Sequence, residues 1–500
     1  MKLRNHLPVL FAATLVLAAE PEATPPGSPA TTSAPTAPKV MQLGGVNVTG
    51  SIRTRLEAWD WFQGASGDNT YPFSGSLMRV AFTQSRESWD WNAEFAVPLL
   101  LGLPANPVAP GVQGALGFGA NYLTANDRHQ NATMLFPKQL YARFTNFGGS
   151  KAHALKVGRY EFLDGSETAS RNATLATLKN TRINQRLLGN FSFSHVGRSF
   201  DGMHYSYSKP SGTFTLLGGI PTRGVFQVDG WGWNRTAFGY ASYVKPWGTA
   251  THAAETRVFS LFYDDWRSVL KTDNRPLAVR RADLANIKVG TFGGHTVHAI
   301  TTGAGTVDLM LWGAAQTGRW GVQNHRAGAF DAEGGIQPAR WPKLKPWLRG
   351  GFYWGSGDHN PNDARHETFF QVMPTPRPFA RFPFFNMMNN RDVFGMVTLR
   401  PHAKVTISNE FHALRVSESH DLWYQGGGVF QPWTFGYAGR ATSGQSSLAN
   451  LYDVNLEFRA RPTLTLVGYF GYAQGLATIS TIYPAGRGAR FGYVEALYKF

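Results

Sequence analysis

The stretch Val46-Asn47-Val48-Thr49-Gly50-Ser51-Ile52-Arg53-Thr54-Arg55-Leu56-Glu57-Ala58-Trp59 alternates apolar and polar residues with a period of two. Val46, Val48, Ile52, Leu56 and Ala58 fall on one face, and Asn47, Thr49, Ser51, Arg53, Arg55 and Glu57 on the other. Period two belongs to a strand, because successive side chains point to opposite sides of a pleated backbone. The run is longer than the ~5–6 residues usual in soluble sheets and fits the ~9–11 needed to cross a bilayer. In a soluble sandwich the charged face would meet bulk water. In a transmembrane barrel the apolar face meets lipid and the charged face lines the lumen.

The pattern recurs. Tyr452, Val454, Leu456, Phe458 and Ala460 alternate with Asp453, Asn455, Glu457, Arg459 and Arg461, and Val405, Ile407, Phe411 and Ala413 oppose Lys404, Thr406, Ser408, Glu410 and His412. Along the whole chain such runs predict about eighteen strands. They start near residues 46, 76, 89, 138, 153, 202, 212, 235, 255, 292, 305, 321, 346, 392, 403, 451, 463 and 489. The expected fold is therefore all-β, a transmembrane antiparallel β-barrel wide enough for a water-filled lumen. Trp59 with Trp61, Trp89 with Trp91, and Tyr353 with Trp354 stand at strand ends, where an interfacial aromatic girdle would place them. Tight turns at 208–212 and 461–462 alternate with long connections at 99–137, 164–189 and 355–390, expected to be extracellular loops and candidate plugs.

Composition agrees. The 500 residues include 55 Gly and no Cys, with 14% aromatic and 16% charged residues, which excludes disulfides, thiolate metal sites and cysteine nucleophiles. The net charge is +16 and arginine outnumbers lysine. Arginine grips carboxylates and phosphates through a planar fork, so its excess points to anionic ligands. These cations are dispersed through the alternating segments without forming a basic tail or patch, which argues against nucleic acid as a partner. Met1 to Ala19 carries Lys2 and Arg4, then an apolar stretch and small residues, the layout of a secretory signal. Residues 20–40, rich in Pro, Ala and Thr, read as a disordered tether, and 41–500 as the barrel. Beyond the tether no apolar run approaches the ~18 residues of a spanning helix.

Several residues mimic chemical sites. Asp358, Asn360 and Asn362 resemble the start of a calcium loop, but Asp363 stands where that loop needs Gly and Phe369 where it needs Glu. A looser ion site or a solvated turn remains there, the turn being the expected one. His295 and His298 lack HExxH spacing and neighbouring acids, so no zinc is expected on them. Ser199 and Asp201 near His195 supply the residue types of a triad, which only geometry would establish. No enzymatic activity, cofactor or resident metal is expected.

Three segments are similar to the alginate export family of outer-membrane barrels. They are Val157-Gly158-Arg159-Tyr160-Glu161-Phe162-Leu163-Asp164-Gly165, then Gly197-Arg198-Ser199-Phe200-Asp201-Gly202, then Gly355-Ser356-Gly357-Asp358 followed by Thr368-Phe369 and Met373-Pro374. Tyr160 replaces the family's usual Gln, and the run Phe191-Ser192-Phe193-Ser194-His195 before the second segment is unusual. The last strand, Phe491 to Phe500, ends on an aromatic residue and resembles the signal by which the barrel assembly machinery recognises its clients.

The resemblance implies a bacterial outer-membrane pore with an arginine-lined lumen that passes an acidic polysaccharide such as alginate, by passive and anion-selective export. The arginines that would line it are Arg53, Arg55, Arg79, Arg143, Arg159, Arg198, Arg257, Arg349, Arg459 and Arg461. Arg or Lys facing lipid at the midplane costs about 2–4 kcal/mol, so most of these strand arginines must face water. There they would concentrate an anionic chain, or pair with carboxylates such as Glu57, Glu410, Asp453 and Glu457 and stiffen the wall. A general anion-preferring porin for small solutes, a barrel hydrolase and a soluble secreted β-protein are the alternatives.

Overall fold

The computed structural model describes residues 40–500, so the expected signal segment and nearly all of the tether lie outside the described residues. The chain forms an 18-stranded antiparallel barrel. In order the strands are β1 (Val46–Asp60), β2 (Thr70–Ser85), β3 (Trp89–Leu101), β4 (Phe136–Thr145), β5 (His153–Tyr160), β6 (Phe200–Lys209), β7 (Gly212–Pro221), β8 (Thr236–Gly248), β9 (His252–Asp265), β10 (Ile287–Thr302), β11 (Gly305–Trp320), β12 (Gln323–Pro338), β13 (Trp347–Gly355), β14 (Asn390–His402), β15 (Val405–Arg415), β16 (Ser447–Arg461), β17 (Leu464–Gly475) and β18 (Gly488–Lys499). Each pairs with its neighbours in sequence, and β1 closes on β18 in register from Ser51↔Lys499 to Asp60↔Arg490. Closure leaves no row of unpaired backbone groups in the hydrocarbon.

The alternation seen in the sequence has the expected orientation. In β1, Arg53, Arg55, Glu57 and Trp59 are buried inside while Leu56 points out. In β16, Tyr452, Val454, Leu456 and Phe458 point out while Asp453 is buried. Outward apolar side chains continue around the wall through Leu216, Val258, Phe262, Phe292, Leu309, Leu311, Val393 and Phe470. A belt this extensive is stable against lipid and not against water.

The strands begin where the sequence predicts, to within a few residues. β2 and β10 start earlier than expected, at Thr70 and Ile287. The inward face of β2 carries Tyr71, Phe73, Gly75 and Leu77, all buried, so polar alternation is lost there although the strand continues.

The lumen is not the expected water-filled space. Connections 102–135, 161–199, 356–389 and 416–446, all at the same end of the barrel, fold back inside it. They carry a helix α1 (Phe118–Ala125), a helix α2 (Ala173–Leu178) and a short ribbon pairing Leu422–Gly426 with Tyr437–Ala441. The reason is composition: Phe369, Phe370, Met373, Phe379, Phe382, Phe384, Phe385, Met387 and Met388 are all buried, and in solvent that surface would be exposed. The aromatic girdle also needs correcting. Trp59, Trp61 and Tyr353 point inward as anchors for these loops; Trp59 stacks on Phe491 at 3.9 Å and Trp61 on Phe382 at 5.9 Å. Trp89 is exposed as expected, and Trp231, Trp233, Trp247, Trp341 and Trp433 are exposed aromatics outside the predicted pairs.

Candidate functional site: the arginines and the occluded lumen

The strand arginines are mostly matched by carboxylates one strand away, because residues opposite each other in neighbouring strands share a face. Arg55 Nε donates to Glu495 at 2.7 Å, its guanidinium lies 3.3 Å from Glu57, and the rings of Phe193 and Tyr493 cover it. Arg79 bridges Glu94 and, at 2.6 Å, Glu161. Arg159 forms a two-pronged pair with Asp201, both contacts at 2.7 Å. Arg257 lies 3.0 Å from Glu167 and 3.5 Å from Asp164, and Arg349 holds Asp308 and, at 2.6 Å, Glu333. Arg53 donates to the carbonyls of Ser192 and Ser194 and lies 3.9 Å from Glu495. Arg143, Arg459 and Arg461 are exposed near the short-turn end, the first two paired with Asp90 and Glu457 at 2.6 and 2.7 Å. The wall thus combines most of its predicted arginines with acids. Such neutral pairs brace it and project little net field.

A second set of arginines behaves differently. Arg198, just ahead of β6, donates to the carbonyls of Gly427 (2.6 Å), Val429 (3.1 Å) and Pro374 (3.2 Å). Arg377 donates to the carbonyls of Arg381 (3.2 Å) and Phe385 (2.9 Å), and Arg440 to those of Val112 (2.9 Å) and Gln113 (2.8 Å) and to the Gln425 amide oxygen. Among the described residues none of these three has a carboxylate within 4.0 Å. Burial lowers the Arg198 and Arg377 guanidiniums to about 10, which leaves both charged at neutral pH. Arg377 and Arg440 sit in the wall of a cavity of about 500 Å³ whose other lining includes Trp61, Phe118, Phe226, Phe384 and Phe430. Arg198 stands behind it, 5.6–5.7 Å from the Phe191 and Phe430 rings. Exposed Val108 and Val112 form part of its rim, so it opens toward the long-loop end.

The family resemblance pointed to Arg198, whereas alternation gave no sign of Arg377 and Arg440, which lie in connections without periodicity. For Arg377 the available signal was the long segment 355–390, already a candidate plug; Arg440 lies in connection 416–446, which carried no such signal.

The three family-like segments meet at this plug. Asp164 accepts the backbone N–H groups of Leu187 (3.1 Å) and Leu188 (3.0 Å), and Leu188 bridges Met373. Burial raises the Asp164 carboxyl above the ordinary range, with Arg257 opposing it. The unusual 191–195 run has its own seat. His195 is fully buried, its Nε2 2.9 Å from Glu57, its ring edge-on to Phe73 and beside Tyr122. Gly75 makes room, since a Cβ there would fall 2.3 Å from the imidazole. Burial pulls His195 down to about 4, despite the raising effect of Glu57.

The apparent triad does not assemble. Ser199 donates to the Lys138 carbonyl at 2.7 Å, His195 meets Glu57, and Asp201 meets Arg159. His295 faces Glu255 at 3.4 Å and His298 faces His252 at 3.0 Å, while Asp358, Asn360 and Asn362 form consecutive side-chain-to-backbone turns.

The fold is that of known porins. Pseudomonas aeruginosa OccK9 (OpdG) superposes with a TM-score of 0.55 at 10% identity, covering 91% of this chain and 98% of that one. OpdK from the same organism gives 0.54 at 8% identity, covering 91% and 98%, and OccK2 (OpdF) gives 0.53 at 8%, covering 92% and 98%. No curated protein matches the chain in sequence. Residues 120–475 match the sequence profile described as alginate export. Family and fold agree with the lipid-facing belt: this chain belongs to the alginate export family and is a β-barrel channel of the bacterial outer membrane.

Proposed function

We propose that the protein is a loop-gated, anion-preferring channel whose vestibule admits small organic anions with an apolar body. The observation that carries this is the cavity of about 500 Å³, in which Arg377 and Arg440 stand among aromatic rings without a carboxylate partner. That volume falls in the ~300–1,000 Å³ range of small-ligand sites. Two guanidiniums bonded to carbonyls with no carboxylate in contact, the charge of Arg377 offset only at longer range by Asp453, leave net positive charge in the wall that attracts an anion, while rings accept its apolar part. A porin of the same fold, OpdK, has been solved with vanillate, an aromatic carboxylate. Weak, separable contacts suit passage, since a tight clamp would hold its cargo.

Export of an acidic polysaccharide is the second reading, favoured by the family match over residues 120–475. It requires the inward loops to swing out of the lumen. Under either reading the Phe500 strand serves recognition by the barrel assembly machinery, and the outward belt sits in outer-membrane lipid.

Planar-bilayer recording separates the two. Under a salt gradient the wild-type channel is expected to show an anion-selective reversal potential, and Arg377→Gln with Arg440→Gln to shift it toward zero. Currents carried by benzoate and insensitive to polyuronate support the vestibule reading, and block by polyuronate supports polysaccharide export. Cation selectivity sinks both.

A further inference from the structure

At the long-loop end of the barrel, connections 356–389 and 416–446 are fastened to each other. Buried Asp421 accepts the Asp358 backbone N–H at 3.0 Å, the Thr368 hydroxyl at 2.6 Å and the Tyr424 hydroxyl at 2.7 Å. The Asn389 side chain accepts the Glu418 N–H at 2.7 Å and donates to the carbonyls of Glu418 (2.9 Å) and Leu422 (3.0 Å). Gly357 lies so close that a Cβ would fall 2.8 Å from that of Glu418. The backbone on either side of this seam is therefore held by several independent contacts.

Above it three side chains converge from the two connections. His359 Nδ1 lies 3.1 Å from one carboxylate oxygen of Glu418, and His420 Nδ1 lies 2.8 Å from the other. One ligand-type atom from each residue falls within 4.8 Å of the other two, and the imidazoles stand 5.1 Å apart at 74°. The side chains of His359 and His420 are 71% and 61% exposed and that of Glu418 24%, so an ion reaches them without any opening of the fold.

We propose that His359, Glu418 and His420 form a site for a divalent first-row transition ion of the zinc class, clipping the two connections together. Two imidazoles and one carboxylate are the N/O donor set such ions take, and three protein ligands leave a further position for water. Calcium is disfavoured because it requires six or more oxygens. Zn–ligand distances of about 2.0–2.1 Å in a tetrahedron place donors about 3.3 Å from one another, close to the 2.8–3.1 Å imidazole–carboxylate spacings already present, and rotamer adjustments of the exposed side chains supply the rest. The ordinary alternative is a pair of surface His–Glu hydrogen bonds, which would show no metal dependence. The same connections carry Arg377 and Arg440, so an ion here ties together two walls of the cavity.

The test is calorimetric titration of zinc sulfate into the detergent-solubilised full chain after chelator treatment. The expected result is one strong site per chain, weakened about tenfold or more in His359→Ala and in His420→Ala and unchanged in His298→Ala. His298 pairs with His252 at the opposite end of the barrel and controls for binding at any histidine pair. Zinc should also raise the thermal midpoint of the wild type and not of His359→Ala, with heat-modifiable gel migration confirming that each variant is folded. No zinc uptake by the wild type, wild-type affinity in the His359→Ala and His420→Ala variants, or loss of the site in His298→Ala would overturn the proposal.

Discussion

A guanidinium buried against carbonyls and one buried against carboxylates have different consequences. Arg55 and Arg349 neutralise acids of the wall, whereas Arg198 keeps its charge and ties the segment before β6 to Pro374, Gly427 and Val429. Arg198→Leu strips those contacts, and a buried carbonyl left without a partner costs about 1–3 kcal/mol. A lower thermal midpoint together with higher and noisier conductance is expected; a change in neither measurement would mean the loops are held elsewhere. His195 offers a pH test. Burial lowers it to about 4 from an ordinary value near 6.5, so the folded protein binds its proton later than the unfolded chain does. Its contribution is whole above pH 6.5, declines as pH falls toward 4 and is flat below, amounting to about 3 kcal/mol at most. The difference in thermal midpoint between wild type and His195→Asn, followed from pH 7.5 to 4, should trace that slope. A pH-independent difference would show that His195 titrates normally.

At the level of elements, strands and connections divide the work. The strands were legible because lipid on one side and a polar interior on the other impose period two, as β1 and β16 show. Leu56 lies on the outer face between Ser74 of β2 and Val494 of β18. Leu56→Arg should therefore cost about 2–4 kcal/mol if it lies near the midplane. Chemical denaturation of the refolded barrel in lipid measures this, and a near-neutral effect would place Leu56 near an interface. The connections obey no period: the length of 355–390 marked it as a candidate plug, but which residues it would place in the lumen, and that 416–446 joins it, left no local pattern. Removing residues 376–386 takes out Arg377, Phe379, Phe382, Phe384 and Phe385 while leaving β13 and β14 intact. The barrel should still migrate heat-modifiably and conduct several times more current, and an unchanged conductance would argue against occlusion by this segment.

For the whole molecule, the seam decides whether eighteen strands form a cylinder. Gly50 and Phe500 exchange both backbone hydrogen bonds at 2.9 and 3.0 Å, and a Cβ on Gly50 would fall 2.3 Å from the Phe500 ring. Gly50→Val should lower the yield of assembled barrel, seen as loss of the heat-modifiable band, whereas Gly395→Val, where no atom lies within 4 Å, should not. Alternation and turn spacing determined the barrel, its approximate strand number and its lipid-facing side from sequence alone, because the solvent on each face of a strand acts on residues one by one. Which arginines stay uncompensated, and that the lumen is filled, only the tertiary structure decided. Arg198, Arg377 and Arg440 acquire their roles from partners far away in the chain, and long-range pairing leaves no local period to detect.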